Sequence, residues 1–253
     1  MTDDTAKIIR QLKDRIVALE YELENCKKLQ LTVFSNLIHE IRTPLNGILG
    51  FSEIISEASV SEEERKHYGD VIVESSNLLL NIISDVIDIT KLETGQYKVY
   101  HEYFDLNDLM AHLYQHYKPI AEKKGLQFFL ENVARQPLAV WSDREAIEKV
   151  LRKLIDNAIK FTKEGWVKLF YREEKDLLQI FVEDTGLGIP LEIQDALFTR
   201  FTRQQVSQSR NLGGTGIDLS LCYGMMKALG GHIFLNSSKG NGSTFRITLG
   251  DYQ

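Results

Sequence analysis

Near the start of the chain, apolar residues recur at alternating steps of three and four. Ile9, Leu12, Ile16, Leu19, Leu23 and Cys26 carry the pattern, and Lys, Arg, Glu and Asp fill most positions between them. That spacing predicts a coiled-coil seam of about three heptads. A single amphipathic helix lying on another domain is the plainer alternative. The stripe runs on through Val33, Leu37, Ile41 and Ile48 and breaks at "ASVSEEER". A second striped helix follows from about Ser61 to Glu93, through Val71, Leu78, Ile82, Val86 and Ile89. Two long helices with a short connection form a helical hairpin, and one hairpin buries its apolar faces poorly. Two hairpins pairing into a four-helix bundle resolve this, so the pattern predicts a homodimer.

The helical period ends at "ETGQYKVYHEYFDL". Gly95 suits a helix C-terminal cap, and Tyr97, Val99, Tyr103 and Phe104 favour extended backbone. Asp105 can cap a helix reaching about Lys124, and "LQFFLEN" reads as a strand. Ser142 or Asp143 caps a helix running to Phe161. "WVKLFYRE" and "LLQIFVED" are strands joined by a polar turn. A last helix near residues 216 to 229 leads into "HIFLNSSKGNGSTFRITL", a hairpin. This mixture predicts an α+β two-layer sandwich. The division expected is 1–30 as a coiled-coil signalling helix, 31–95 as the helical dimerisation domain and 96–253 as the sandwich.

At 253 residues the chain has room for two cores, and its 43% hydrophobic and 26% charged residues are ordinary for a globular protein. No apolar run nears the roughly 20 residues that cross a bilayer. The start, "MTDDTAK", is acidic where a secretory signal would be basic and then apolar. These features predict a cytoplasmic location, with the soluble part of a membrane-anchored sensor left open. A net charge of −6 argues against a nucleic-acid partner. Cys26 and Cys222 match no metal-ligand spacing and read as packing residues.

The residues with chemistry to offer cluster in three places. "EDTGLGIP" and "NLGGTGIDLS" are rich in glycines, which let phosphate oxygens approach bare amides beside a helix start. Neither is a P-loop or a dinucleotide fingerprint, and each alone could be a turn. "KLIDNAIKFT" puts Asn157 and Lys160 three apart on one helix face. There, an amide oxygen for hydrated Mg2+ would stand beside an ammonium for phosphate. A solvated polar face is the alternative. "FSNLIHEIRTPLNGILGF" carries His39 next to Glu40 and places Pro44 in the same helical pattern. A proline costs about 3 kcal/mol in a helix interior, so something other than helix stability must explain it.

Together these segments resemble the catalytic core of a two-component sensor histidine kinase, from about residue 30 to 249. "FSNLIHEIRTPLNGILGF" matches the phospho-acceptor box, "KLIDNAIKFT" the N box, "EDTGLGIP" the G1 box, "LFTRF" the F box and "GGTGIDLS" the G2 box. The resemblance implies a dimeric helical hairpin followed by a gyrase-like ATP-binding domain. It also implies autophosphorylation from ATP with Mg2+ and transfer to an aspartate of a response regulator receiver domain. An upstream sensor would lie outside this chain.

Residue by residue, it makes His39 the phosphate acceptor and Glu40 its base. Thr43 would orient water in dephosphorylation, and Pro44 would kink the helix as a hinge. Asp184 would accept a hydrogen bond from the adenine amino group, Asn157 would hold Mg2+, and Lys160 would contact phosphate. Gly186, Gly188, Gly214 and Gly216 would hinge a lid over residues 187–215, anchored by Phe198 and Phe201. The chemistry agrees, since a neutral imidazole is a competent nucleophile near pH 7 and a carboxylate beside it can take its proton.

Two positions depart from the family pattern. Lys153 stands where the N box usually has asparagine, and Asp218 where the G2 box has its third glycine. A carboxylate at a helix start beside a triphosphate would repel it, unless Mg2+ or Lys153 screens it. A catalytically weakened or phosphatase-biased regulator is therefore the alternative. His112 and His116, four apart, lack a third metal ligand and read as a solvated or interdomain face.

Overall fold

A computed structural model describes residues 15–17, 20–21, 24, 35, 37–57, 60–131, 136–174, 177–197, 217–250 and 252. Most of the predicted seam, together with Phe198, Phe201, Gly214 and Gly216, lies outside these residues. The described chain divides between Ile82 and Ile83 into two compact units.

In the first unit, helix α1 spans residues 37–55 and α2 begins at Glu62, running to Glu93 in the second unit. The start of α2 is set by a reciprocal cap. The Glu64 carboxylate accepts from the Ser61 amide at 3.0 Å and from its hydroxyl at 2.7 Å, while the Glu64 amide donates to Ser61 Oγ at 3.3 Å. Arg65 turns back to donate to the carbonyls of Ile55, Glu57 and Val60, closing the connection between the helices. Phe51 stacks on Tyr68 with centroids 5.3 Å apart. Pro44 sits buried within α1 and has no amide hydrogen to give the helix.

The second unit is built on a five-stranded sheet in the order β2, β4, β5, β7, β6. The strands are β2 (Gln127–Glu131), β4 (Trp166–Glu174), β5 (Leu177–Asp184), β6 (His232–Ser237) and β7 (Ser243–Gly250). β2 pairs parallel to β4 and the other pairs are antiparallel. Helices α3 (Leu106–Lys123), α4 (Arg144–Phe161) and α6 (Asp218–Ala228) supply the second layer. A short helix α5 (Leu191–Leu197) and the strand β3 (Ala139–Ser142) were not anticipated; β3 pairs with β1 (Glu102–Asp105), which lies where Tyr103 and Phe104 favour extended backbone.

Period-two alternation divides the two faces of the sheet. Val167, Leu169 and Tyr171 of β4, Leu178, Ile180 and Val182 of β5, and Phe245, Ile247 and Leu249 of β7 enter one core with Leu113, Leu151, Ile155 and Met226 of the helices. On the other face Phe170 and Phe181 stack at 4.6 Å, with the Arg172 guanidinium over both rings. Helix entry follows from caps. Asp105 accepts from the amides of Asn107 at 2.9 Å and Leu138 at 3.0 Å. Asp143 accepts from the amides of Ala146 and Tyr100, each at 2.9 Å.

Candidate active site

Asp184 is the last residue of β5. It is in phase with Leu178, Ile180 and Val182, so the alternation that builds the core aims its carboxylate at the helical layer. The residue is only 7% exposed. Its Oδ1 accepts from the Gly186 amide at 2.8 Å. Burial pushes the carboxyl up to about 6, against the pull of hydrogen bonds from the Gly186 and Ser243 amides. A buried carboxylate kept near its ionisation point is suited to accept a hydrogen bond from a ligand amino group.

The turn after Asp184 leaves no room for a side chain at Gly186 or Gly188. A Cβ on Gly186 would lie 2.7 Å from Asp184 Oδ1, 2.7 Å from the Phe161 carbonyl oxygen and 3.0 Å from Thr162 Oγ1. Gly188 has φ +62, and a Cβ there would meet the Ser238 carbonyl oxygen at 1.9 Å. The Leu187 amide donates to the Phe161 carbonyl at 3.3 Å, so the turn abuts the C-terminal end of α4.

Several residues that carried no sequence signal hold this turn. Thr185 Oγ1 accepts from the Trp166 amide at 2.9 Å. Ser237 Oγ accepts from the Ile189 amide at 2.8 Å and donates to the Gly242 carbonyl at 2.7 Å. Gln194 donates to the carbonyls of Ile189 and Ser237. Ser243 could have been found only through its register opposite Asp184.

Asn157 and Lys160 lie in the last two turns of α4, the helix end that reaches the turn. Lys160 is exposed, with Nζ 5.4 Å over the Phe161 ring. Lys153, one turn earlier, is engaged elsewhere. Its Nζ lies 2.9 Å from Asp218 Oδ1 and 2.5 Å from Asp85 Oδ2. Burial alone would lower this ammonium, but the carboxylates of Asp218 and Asp85 outweigh it and hold its pKa well above the ordinary value.

In the first unit, His39, Glu40 and Thr43 share one turn of α1, and His39 is exposed. The Thr43 hydroxyl donates to the His39 carbonyl at 3.2 Å. His112 approaches Arg152 and Glu148, and no cluster of three metal-binding side chains occurs among the described residues.

Residues 29–95 match the His Kinase A (phospho-acceptor) domain, and residues 142–253 match the histidine kinase-, DNA gyrase B- and HSP90-like ATPase domain. The chain belongs to the sensor histidine kinases. This kinase chain is 33% identical over 234 residues to the autoinducer 2 sensor kinase/phosphatase LuxQ of Vibrio parahaemolyticus, covering 90% of the chain and 27% of LuxQ. It is 35% identical over 229 residues to the aerobic respiration control sensor protein ArcB of Escherichia coli K12, covering 90% of the chain and 29% of ArcB. The chain thus spans less than a third of these curated relatives.

Among solved structures, histidine kinase ThkA in complex with response regulator protein TrrA aligns with a TM-score of 0.59 at 26% identity, covering 91% of this chain and 66% of that one. The Acinetobacter baumannii histidine kinase AdeS shares the fold, with a TM-score of 0.63 at 24% identity over 84% of this chain and 97% of that one. No helix among the described residues is long and apolar enough to cross a membrane.

Proposed function

We propose that this kinase core autophosphorylates His39 from Mg2+-bound ATP and passes the phosphoryl group to an aspartate of a response regulator. The observation that carries the reading is the buried Asp184 carboxylate beside a turn that excludes side chains at Gly186, a cradle for a flat base with an amino group. Asn157 would hold Mg2+ and Lys160 would contact phosphate, both on the helix whose end meets that cradle. ATP would supply the γ-phosphoryl group, and a Mg2+ held by Asn157 would supply positive charge for the phosphate oxygens. His39, exposed on α1, offers a ring nitrogen to the γ-phosphorus while Glu40 takes the ring proton and ADP leaves. Gly214 and Gly216, with Gly186 and Gly188, would hinge a lid over residues 187–215.

The division into 1–30, 31–95 and 96–253 is retained as the working domain map. Exposed Ile38, Leu45, Leu49, Ile54, Val73 and Leu80 on α1 and α2 support burial against a second copy, making the protein a homodimer. The ThkA complex with TrrA supports a response regulator as partner. The name of LuxQ, a kinase/phosphatase, supports a reverse activity in which Thr43 orients water. The site of action would be cytoplasmic, downstream of a sensor segment.

Incubation with γ-labelled ATP and Mg2+ tests the proposal. Label that is acid-labile and chases onto an added receiver domain is the expected result. Steady ATP hydrolysis with no phosphoprotein would instead mark a gyrase-type clamp.

A further inference from the structure

The two departures from the family pattern touch each other. Five side chains of alternating sign form a ladder from the end of α2 through α4 to the first residue of α6: Asp88, Lys149, Asp85, Lys153 and Asp218. Lys149 Nζ lies 2.6 Å from Asp88 Oδ2 and 3.0 Å from Asp85 Oδ1. Lys153 Nζ then joins Asp85 to Asp218. The Asp85 and Lys153 side chains are 15% and 14% exposed, whereas that of Asp218 is 36% exposed. Lys153 is therefore anchored on its buried side and reaches out to the more exposed carboxylate.

Asp218 opens α6 behind Ile217, an apolar residue whose side chain makes no capping hydrogen bond. A helix start of this kind favours anions. For folding, a carboxylate there is unobjectionable. For a triphosphate arriving at the same helix start it is a like charge, unless a cation holds it. Lys153 lies on the α4 stripe that reaches Asn157 four residues later, at the edge of the phosphate site proposed above.

We propose that Lys153 is a positioning residue for nucleotide binding that acts through Asp218, drawing its carboxylate to α4 and neutralising it so that a nucleoside triphosphate can approach α6. The lysine in the N box and the aspartate in the G2 box are then one compensated exchange in place of two independent losses. The inference rests on the nucleotide reading of this site. It predicts that Lys153 matters to binding only while residue 218 is a carboxylate. Removing Lys153 leaves Asp85 still paired with Lys149, whereas Asp218 loses the ammonium at 2.9 Å.

The test is a double-mutant cycle read by calorimetry on the full chain, with a non-hydrolysable ATP analogue and Mg2+. Lys153→Met should weaken binding at least tenfold, and the same substitution in an Asp218→Asn background should change it less than threefold. Lys153→Arg, which keeps the charge, should stay within about threefold of wild type. Lys153→Gln, run in parallel, retains a donor for Asp85 and covers a failure of the methionine variant to fold. Equal losses in both backgrounds would overturn the proposal, because Lys153 would then act independently of Asp218. No loss in the wild-type background would overturn it too. Failure of both wild type and Asp218→Asn to bind the analogue would remove the nucleotide reading itself, an outcome distinct from an additive cycle.

Discussion

Replacing Asp184 with asparagine should make the ATP-binding unit more stable and less functional, and the size of each effect follows from burial. The carboxyl, pushed up to about 6, lies about two pH units above the ordinary aspartate value of about 3.9, which corresponds to a cost on the order of 2–3 kcal/mol for keeping it ionised in the fold. A raised folded-state pKa means that the folded protein binds more protons than the unfolded chain between about pH 4 and 6. The contribution of this group is therefore most favourable at pH 4 and is lost as pH rises through 6. Asparagine has no such titration, so the stability of Asp184→Asn relative to wild type should rise by on the order of 2 kcal/mol between pH 4 and pH 7.

With Asp184 as the proposed acceptor for the adenine amino group, the variant should also lose about 1.5–3 kcal/mol of binding, or on the order of 10- to 100-fold in affinity. Urea unfolding followed by tryptophan fluorescence reads the right unit, since the protein's two tryptophans are Trp141 and Trp166, both in that unit. A difference between the two proteins that does not change with pH would refute the burial argument. Unchanged affinity for an adenine nucleotide would refute the assignment of Asp184 as its acceptor.

Nucleotide affinity of the wild-type protein should fall as pH drops below about 6, because Asp184 then takes up the proton that cancels its acceptor role; calorimetry between pH 5 and 8 checks this. Gly188→Ala should destabilise the second unit by more than 1 kcal/mol and abolish nucleotide binding, since its Cβ would sit 1.9 Å from the Ser238 carbonyl oxygen at a φ that costs alanine about 1–2 kcal/mol on its own; unfolding and calorimetry on the same sample decide it. Asp143→Ala removes the α4 cap and the acceptor for the Tyr100 amide, and should cost about 1–2 kcal/mol of stability in urea unfolding.

Where a signal was local, the sequence carried it. Asp105 and Asp143 cap their helices as read, because capping needs only a short polar side chain and the next turn's amides. The sheet strands flanking the turns were legible from alternation, and the Asp184, Gly186 and Gly188 turn from its motif. What escaped depends on contacts distant in sequence. β3 has four residues and pairs with β1, Glu102 opposite Ser142, so the pairing does not declare itself even where Tyr103 and Phe104 favour extended backbone. Tyr103, on β1, is tilted against Trp141 at 4.7 Å, a contact between the two short strands that no local pattern announces. Lys153 and Asp218 are 65 positions apart, and each looked like a defect on its own. Their ion pair sets an ammonium 2.9 Å from the carboxylate on which the expectation of weakened ATP use rested.

Whether His39 receives the γ-phosphoryl group is decided by mapping label from γ-labelled ATP in wild type and in His39→Gln. His39 is exposed and carries no fold-determining contact of its side chain among the described hydrogen bonds, so the variant should bind nucleotide and unfold as wild type does. One acid-labile phosphoryl group is expected in wild type and none in His39→Gln. Label retained by the variant, or acid-stable label in wild type, would contradict it.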